Sequence, residues 1–501
     1  MTSTGIAPTD RLMLIDGKEV EASSGERFER TSPAHGVLVG TYPKGTSEDV
    51  DLAVSAARRA FDQGPWPRES GAVRARTLLR VAELIRRDAE QLARTEVLES
   101  GKPISQAYGE VEASAELWVY AATVARHAYG DAHNMLGDDV LALVLNEPVG
   151  VVTVITPWNF PLLILSQKLP FALAVGCTAV VKPSELTPGT TLHLARLLVE
   201  AGLPEGAVNV ISGGGGVGSV LTQHPSVDMI SFTGSTQVGR LVAAAAGQQL
   251  KKVELELGGK NPQIVCADAD LEAALDAVVF GVFFNAGECC NSGSRVLVAR
   301  EIAADFQAAL VERSRQVPVG DPLDPATKVG AITSDEQLQT IERYVGEGRD
   351  AGATLLLGGE RLPTDRGRFY RPTVFARVQP TMTIAREEIF GPVLSVLTYD
   401  NLDEAIRIAN STMYGLSAGI WTSNLDRALR AAREVRAGTI WVNRWMDGYP
   451  ELPFGGYGAS GLGRELGRQS VNVFTHTKTV QLQVGPQRSS WLPVSAVPEL
   501  T

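Results

Sequence analysis

Between residues 150 and 246 the chain alternates short β-branched runs with amphipathic stretches, and this alternation constrains the fold more than any other feature. Residues 150–155 (GVVTVI), 179–181, 208–211 and 229–232 are apolar and of strand length, whereas 162–174, 190–201 and 237–246 suit helices. Strands covered on both faces read as continuous apolar runs, so repeated strand–helix units predict a parallel sheet with helices packed on its faces. Pro170 is expected to kink or interrupt the first helix, because it lacks an N–H and its ring crowds the preceding turn. Gly202, with Pro204 beyond it, marks the end of the second.

A second α/β region begins near Leu257, with helices expected at 270–284, 302–316 and 402–410 and strands at 295–298, 393–399, 418–421 and 439–442. Ahead of both, residues 13–45 read as short strands turning at Asp16-Gly17 and Ser24-Gly25, and 47–126 as helical. Two weakly alternating segments, 139–146 and 471–484, read as extended strands that pair with each other or with another subunit. At 501 residues the chain is too long for one core, which predicts two or three domains.

Composition narrows the partners. Lys and Arg number 46 against 57 Asp and Glu, a net charge of -11, and such a surface argues against nucleic acid. The four cysteines (Cys177, Cys266, Cys289, Cys290) show no CxxC spacing and the six histidines no ligand pattern, so free thiols, a reducing cytoplasm and no metal are expected. The first ten residues do not resemble a signal peptide. The most apolar stretch, 149–173, is broken by Pro157, Pro161 and Pro170 and carries Lys168, so no membrane span is expected.

Two glycine-rich loops compete for a phosphate-binding role. Residues 213–218 (GGGGVG) match GxGxxG, but four consecutive glycines satisfy many patterns, and a surface turn is the expectation. FTGSTQVG at 232–239 follows a strand and opens a helix: Gly234 permits close backbone approach, Ser235 supplies a hydroxyl, and the helix terminus supplies N–H groups and a favourable dipole. An ordinary helix capped by Ser235 or Thr236 would read the same way. Lys182 and Glu185 lie just past a strand, where an acid suits ribose hydroxyls and would repel a 2′-phosphate, although a Glu in a solvated turn would read the same way.

Chemistry concentrates in FFNAGECCNSGSR, with two adjacent thiols, and in VELELGGKNP, where Glu256 precedes a two-glycine turn. These segments join ITPWNFP (155–161), VVKPSE (180–185), FTGSTQVG (232–239), EEIFGPV (387–393) and PFGGYGASGLGRELG (453–467) in an order that resembles the aldehyde dehydrogenase superfamily, from about Leu14 to Val480.

The resemblance implies a Rossmann-like NAD(P)-binding domain (1–129 and 148–257), an α/β catalytic domain (258–460) and small bridging or oligomerisation strands (130–147 and 471–487), in a homodimer or homotetramer. It also selects the thiol: Cys290-Asn291-Ser292-Gly293-Ser294-Arg295 matches the nucleophile motif, which puts Cys289 one residue early. The implied reaction begins with Cys290 attacking an aldehyde, the oxyanion being held by the Asn159 amide and the Cys290 N–H. Hydride loss to the nicotinamide leaves a thioester, which water activated by Glu256 hydrolyses. By the same resemblance Lys182, Glu185, Ser235, Gly234, Gly239, Trp158, Glu388 and Phe390 hold NAD, with NADP possible, and Gly258 and Gly259 are backbone-permissive. Phe160, Gln167, Arg444, Trp445 and Phe454 are expected around a small polar aldehyde, with Arg444 reaching an anionic group or else engaged in a surface ion pair. Glu288 is expected to add negative charge near the thiolate. The competing readings are a CoA-acylating enzyme, against which Glu256 argues, and a non-catalytic binding protein on the same fold.

Overall fold

The computed structural model describes residues 8–364, 367–485 and 491. The first seven residues of the expected cofactor domain and the last two of the expected bridging segment lie outside this range.

Two large sheets carry the fold. The first has eight strands in the order Gly461–Leu462, Lys252–Glu256, Met229–Thr233, Val151–Ile155, Thr178–Lys182, Val208–Val210, Met13–Ile15, Lys18–Val20. Its central five are parallel, and their residues are almost all buried, which is why they read as unbroken apolar runs. An antiparallel hairpin turning at Asp16-Gly17 extends one edge, and Gly461–Leu462 closes the other against Lys252–Glu256. The second sheet has seven strands, ordered Thr354–Leu357, Thr373–Ala376, Val393–Tyr399, Arg295–Ala299, Pro262–Val265, Ser417–Trp421, Thr439–Val442. Only Thr354–Leu357 in it runs antiparallel.

Three local expectations change. The Pro161–Val175 helix continues through Pro170, and burial of nearly the whole helix outweighs the one lost backbone hydrogen bond. The glycine run is not a turn: the Gly215–Gln223 helix starts inside it, because Val217 and Leu221 bury one face. Of the alternating segment at 471–484, Ser470–Phe474 is helical and only Thr475–Gln483 is a strand. Val471 and Phe474, three apart, both enter the core beside the first sheet, a helical spacing that alternation had hidden. The strand pairs antiparallel with Val140–Pro148, which also pairs with Asp131–His133.

Candidate active site

The Gly258-Gly259 turn, between a strand of each sheet, organises the centre of the molecule. A Cβ on Gly258 would lie 2.1 Å from Glu388 Oε2, and one on Gly259 2.8 Å from the Cys290 carbonyl oxygen. A Cβ at Gly259 would press on backbone and one at Gly258 would displace the Glu388 carboxylate, so close approach rather than unusual dihedrals accounts for both glycines. Gly259 N–H donates to Glu388 Oε1 at 2.9 Å.

The segment leading to Cys290 follows the Leu271–Phe283 helix and bends sharply. Asn285, Ala286 and Gly287 have φ of 50°, 56° and 74°, a left-handed path that costs the first two about 1 kcal/mol each. Side chains hold it there. Asn285 N–H donates to Gln106 Oε1 at 3.0 Å, and Asn285 Nδ2 donates to the carbonyls of Asn159 (3.2 Å) and Glu288 (3.0 Å). Beyond the bend, Asn261 Nδ2 donates to the carbonyls of Cys290 (2.7 Å) and Ser292 (2.9 Å), while its Oδ1 accepts from Ser417 N–H. The Arg295 guanidinium donates to the carbonyls of Lys260, Ile408 and Ala409, and burial lowers its pKa to about 9. Asn261 and Asn285 were missed from the sequence; their only signal was membership of the GGKNP and FFNAG segments.

Cys177, Cys266 and Cys289 are buried, and Cys290 alone keeps partial exposure. The adjacent Cys289 thiol, then burial, then the Glu388 and Glu256 carboxylates raise the Cys290 pKa well above the usual thiol range. Asn159 is buried and donates one amide N–H to the Glu288 carbonyl at 3.0 Å, which ties it to the segment carrying Cys290. A primary amide has a second N–H to offer. Among the described residues no group hydrogen-bonds either carboxylate oxygen of Glu256. Burial, then Glu254 and Glu465, raise the Glu256 pKa well above the carboxylate range, against the opposing charges of Lys168 and Arg464.

The expected effect of Glu288 does not arise. Its buried carboxyl accepts from Thr333 N–H at 3.1 Å, and burial raises its pKa well above the carboxylate range, which favours the neutral form. What it contributes to the site is its backbone carbonyl.

The proposed cofactor residues fall in three places. Ser235 caps the Thr236–Gln248 helix, accepting from Val238 N–H at 3.2 Å, so it is the ordinary cap and also stands at a terminus whose first N–H groups lack intrahelical partners. The Thr233 hydroxyl beside Gly234 is buried and unbonded among the described residues. Gly239 packs that helix against Leu257, where a Cβ would clash at 2.4 Å. Lys182 Nζ lies 3.4 Å from the exposed Glu185 carboxylate. The glycine run borders this pair, since Cβ atoms at Gly214 and Gly218 would sit 4.0 Å from Glu185 Oε1 and 3.9 Å from the Lys182 chain. Trp158 and Phe390 meet edge to face at 5.3 Å, with Phe390 in the left-handed region. Burial raises the Glu388 pKa to about 7, although Gly259 N–H and Lys260 lower it.

The expected substrate residues separate. Phe160, Ile164 and Cys289 form an apolar cluster with Leu163, Phe284 and Met446, and Phe160 stacks on Phe284 at 6.0 Å. Arg444 is exposed and committed to its own loop, donating to the Asp447 carboxylate and, at 2.9 Å, to Tyr449 Oη. Trp445 is a core residue packed on Gly281, Gly293 and Gly419. Phe454 pairs with Glu465 through backbone hydrogen bonds of 2.8 and 2.7 Å. Gln167 is half-buried on the helix that carries Lys168.

The glycine-opened helix terminus, the partly exposed cysteine and the unbonded carboxylate are borne by two α/β units, and the class this points to is a dinucleotide-dependent oxidoreductase. The chain belongs to the aldehyde dehydrogenase family, whose model matches residues 20–480. It is 52% identical to a solved NAD-dependent aldehyde dehydrogenase from Sinorhizobium meliloti, with a TM-score of 0.96 over 97% of both chains. A solved betaine aldehyde dehydrogenase from Staphylococcus aureus in complex with NAD+ is 37% identical, with a TM-score of 0.94 over 97% of both chains. An aldehyde dehydrogenase of Aspergillus niger is 44% identical over 94% of this chain and 95% of its own. The α/β class and the family resemblance read from the sequence both hold.

Proposed function

We propose that the chain oxidises an aldehyde to the carboxylic acid with NAD, using Cys290 as nucleophile, and that the product acid is released by water. One observation carries this reading: Cys290, the only cysteine residue with partial exposure, shares its surroundings with the Glu256 and Glu388 carboxylates, while Asn159 is tied to the carbonyl two residues before it. Cys290 loses its proton to water and, as the thiolate, attacks the aldehyde carbon. The free Asn159 N–H and the Cys290 N–H, which makes no hydrogen bond among the described residues, stabilise the oxyanion. Glu256, with both oxygens unbonded, takes the proton from the water that cleaves the thioester. Its raised pKa suits a base that works near or above neutrality.

The donor set fits NAD. The capped helix terminus and the unbonded Thr233 hydroxyl suit the pyrophosphate, Lys182 and Glu185 the adenosine ribose, and Glu388 the nicotinamide ribose, with Trp158 and Phe390 beside it. When bound, NAD supplies the hydride acceptor. Glu185 would repel a 2′-phosphate, which favours NAD over NADP.

The apolar cluster around Phe160 and Phe284 supports an aldehyde with an apolar body rather than the small polar one expected from sequence, and of the two alternatives for Arg444 its bonds to Asp447 and Tyr449 favour the surface ion pair over an anionic substrate group. The strand pair Thr475–Gln483 and Val140–Pro148 leaves Leu145 and Leu482 exposed, which supports a contact between copies in a dimer or tetramer. No helix among the described residues is long and apolar enough to cross a membrane.

An aldehyde panel run with NAD and with NADP, without CoA, tests the reading. Acid formation with NAD alone, fastest for alkyl and aryl aldehydes, is expected; a strict need for CoA would point to acyl transfer, and no NADH from any aldehyde to a binding protein.

A further inference from the structure

Beneath Asn159 lies a buried ionic cluster that the reaction scheme does not use. Lys102, Glu96 and Glu110 are 2%, 0% and 5% exposed. Lys102 Nζ pairs with Glu96 Oε2 at 3.3 Å and with Glu110 Oε2. The other oxygen of each carboxylate faces the Pro161–Val175 helix: Glu96 Oε1 accepts from Leu162 N–H at 3.3 Å and Glu110 Oε1 from Leu163 N–H at 3.2 Å. Helix geometry leaves the first N–H groups without partners, Pro161 has none, and Phe160 at the N-cap offers no side-chain acceptor. Leu162 and Leu163 therefore present the first donors, and the two glutamates take both.

Lys102 Nζ also sits 4.4 Å from the centroid of the Phe160 ring, which stacks on Phe284. The cluster thus grips the residue after Asn159 by its ring and the next two N–H groups by their backbone. Two carboxylates buried this close cannot both stay ionised without a cation between them. Were Lys102 lost, one would take up a proton on the oxygen the ammonium had held, and without the cation to draw the two carboxylates together and cover the Phe160 ring the start of the helix would be held less firmly.

We propose that Lys102, with Glu96 and Glu110, is a positioning residue for the oxyanion amide of Asn159: it fixes the Asn159-Phe160 turn so that the second amide N–H points at the reacting carbonyl oxygen. This rests on the proposed role of Asn159 and adds a device that acts through it.

A double-mutant cycle on the pre-steady-state burst of NADH separates the two claims. Asn159→Ala is expected to slow the burst ~100- to 1,000-fold, as for other single oxyanion donors. Lys102→Met alone should slow it ~10- to 100-fold, and in the Asn159→Ala background it should cost no more than about 3-fold, because residues acting through one another are non-additive. NAD affinity and the rate of Cys290 alkylation by iodoacetamide should stay at the parent values, which a merely structural loss would not leave intact.

If Asn159→Ala leaves the burst rate unchanged, the oxyanion assignment fails and the proposal falls with it. If Asn159→Ala is slow but Lys102→Met costs the same factor in both backgrounds, the assignment stands and the proposal is overturned. Should Lys102→Met not fold, Glu110→Gln, which keeps the side-chain shape, carries the same cycle: a loss of ~3- to 10-fold that vanishes with Asn159→Ala supports the proposal, and an additive one refutes it.

Discussion

Two buried lysines, each bridging two glutamates, flank the candidate site, and they differ in how completely their oxygens are used. In the Lys102 cluster all four carboxylate oxygens are engaged, two by the ammonium and two by backbone N–H groups. In the Lys168 cluster the ammonium pairs with Glu254 Oε2 at 3.1 Å and with Glu465 Oε1, and Ser231 adds a bond to Glu254 Oε2. Glu254 Oε1 and Glu465 Oε2 have no partner among the described residues. Burial alone would lower the Lys168 pKa, but the two carboxylates raise it above the ordinary value, and Glu465, raised by burial and Glu254, titrates at about 8. A saturated network fixes shape, whereas one with spare acceptors beside a titrating base can hold or pass a proton. The same two residue types, one Lys with two Glu, are proposed to serve geometry on one side of the site and charge on the other.

Cys290→Ala removes the nucleophile itself and gives the largest effect: aldehyde oxidation falls to background with NAD affinity retained, measured by NADH formation and by titration with NAD. Cys289→Ala should leave oxidation intact and, by removing the neighbour that most raises the Cys290 pKa, move the pH dependence of Cys290 alkylation by iodoacetamide to lower pH. Reversal of these two results would move the nucleophile by one position.

Glu256→Gln cuts kcat by ~100- to 10,000-fold, the usual range for a positioned base. The loss should appear in steady-state turnover more than in the first burst of NADH, because the base is needed to cleave the thioester.

Lys168→Met sharpens the contrast between the clusters. Lys168 favours the ionised form of Glu256, so its removal raises the Glu256 pKa further. Turnover that depends on the carboxylate rises with pH, and its rising limb should move to higher pH, with a loss of ~10-fold near neutrality. Lys102→Met should lower kcat without moving that limb. Parallel shifts in both variants would erase the distinction between a charge-tuning and a shape-fixing cluster.

Outside both clusters the effects shrink. Glu388 titrates at about 7, so its carboxylate is neutralised as pH falls below that value, and the KM for NAD should rise several-fold between about pH 8 and about pH 6. Arg444→Ala should change kcat/KM for neutral and acidic aldehydes alike by less than about 2-fold, as expected for an exposed ion pair.

Much of this organisation was legible in the sequence. The parallel strands announced themselves as apolar runs between helical stretches, and the spacing from Cys290 to Arg295 chose between two adjacent thiols once the family pattern was recognised. Hydrophobic periodicity is local: it records which face of a segment is buried, and that much needs no knowledge of the partner. Its failure at 471–474 is equally local, since VNVF satisfies alternation and an i, i+3 pair at once, and packing against the core selected the helix.

Charged and polar residues carry no such record. Lys168 and Glu465 are 297 positions apart, and Asn159 and Glu288 are 129 apart. Glu288 reads as a negative charge beside Cys290, but its carboxyl is buried and accepts from the N–H of Thr333, brought in from another segment. Arg444 and Trp445 read as pocket residues, and the fold commits one to its own loop and the other to the core. The α/β architecture and the family were legible in the residues alone, whereas the choice of Cys290 rests on the family motif. Which lysines lie buried, which carboxylates keep spare oxygens and how Asn159 is held were decided by tertiary structure, because the pKa and the direction of a polar group depend on which distant segments surround it.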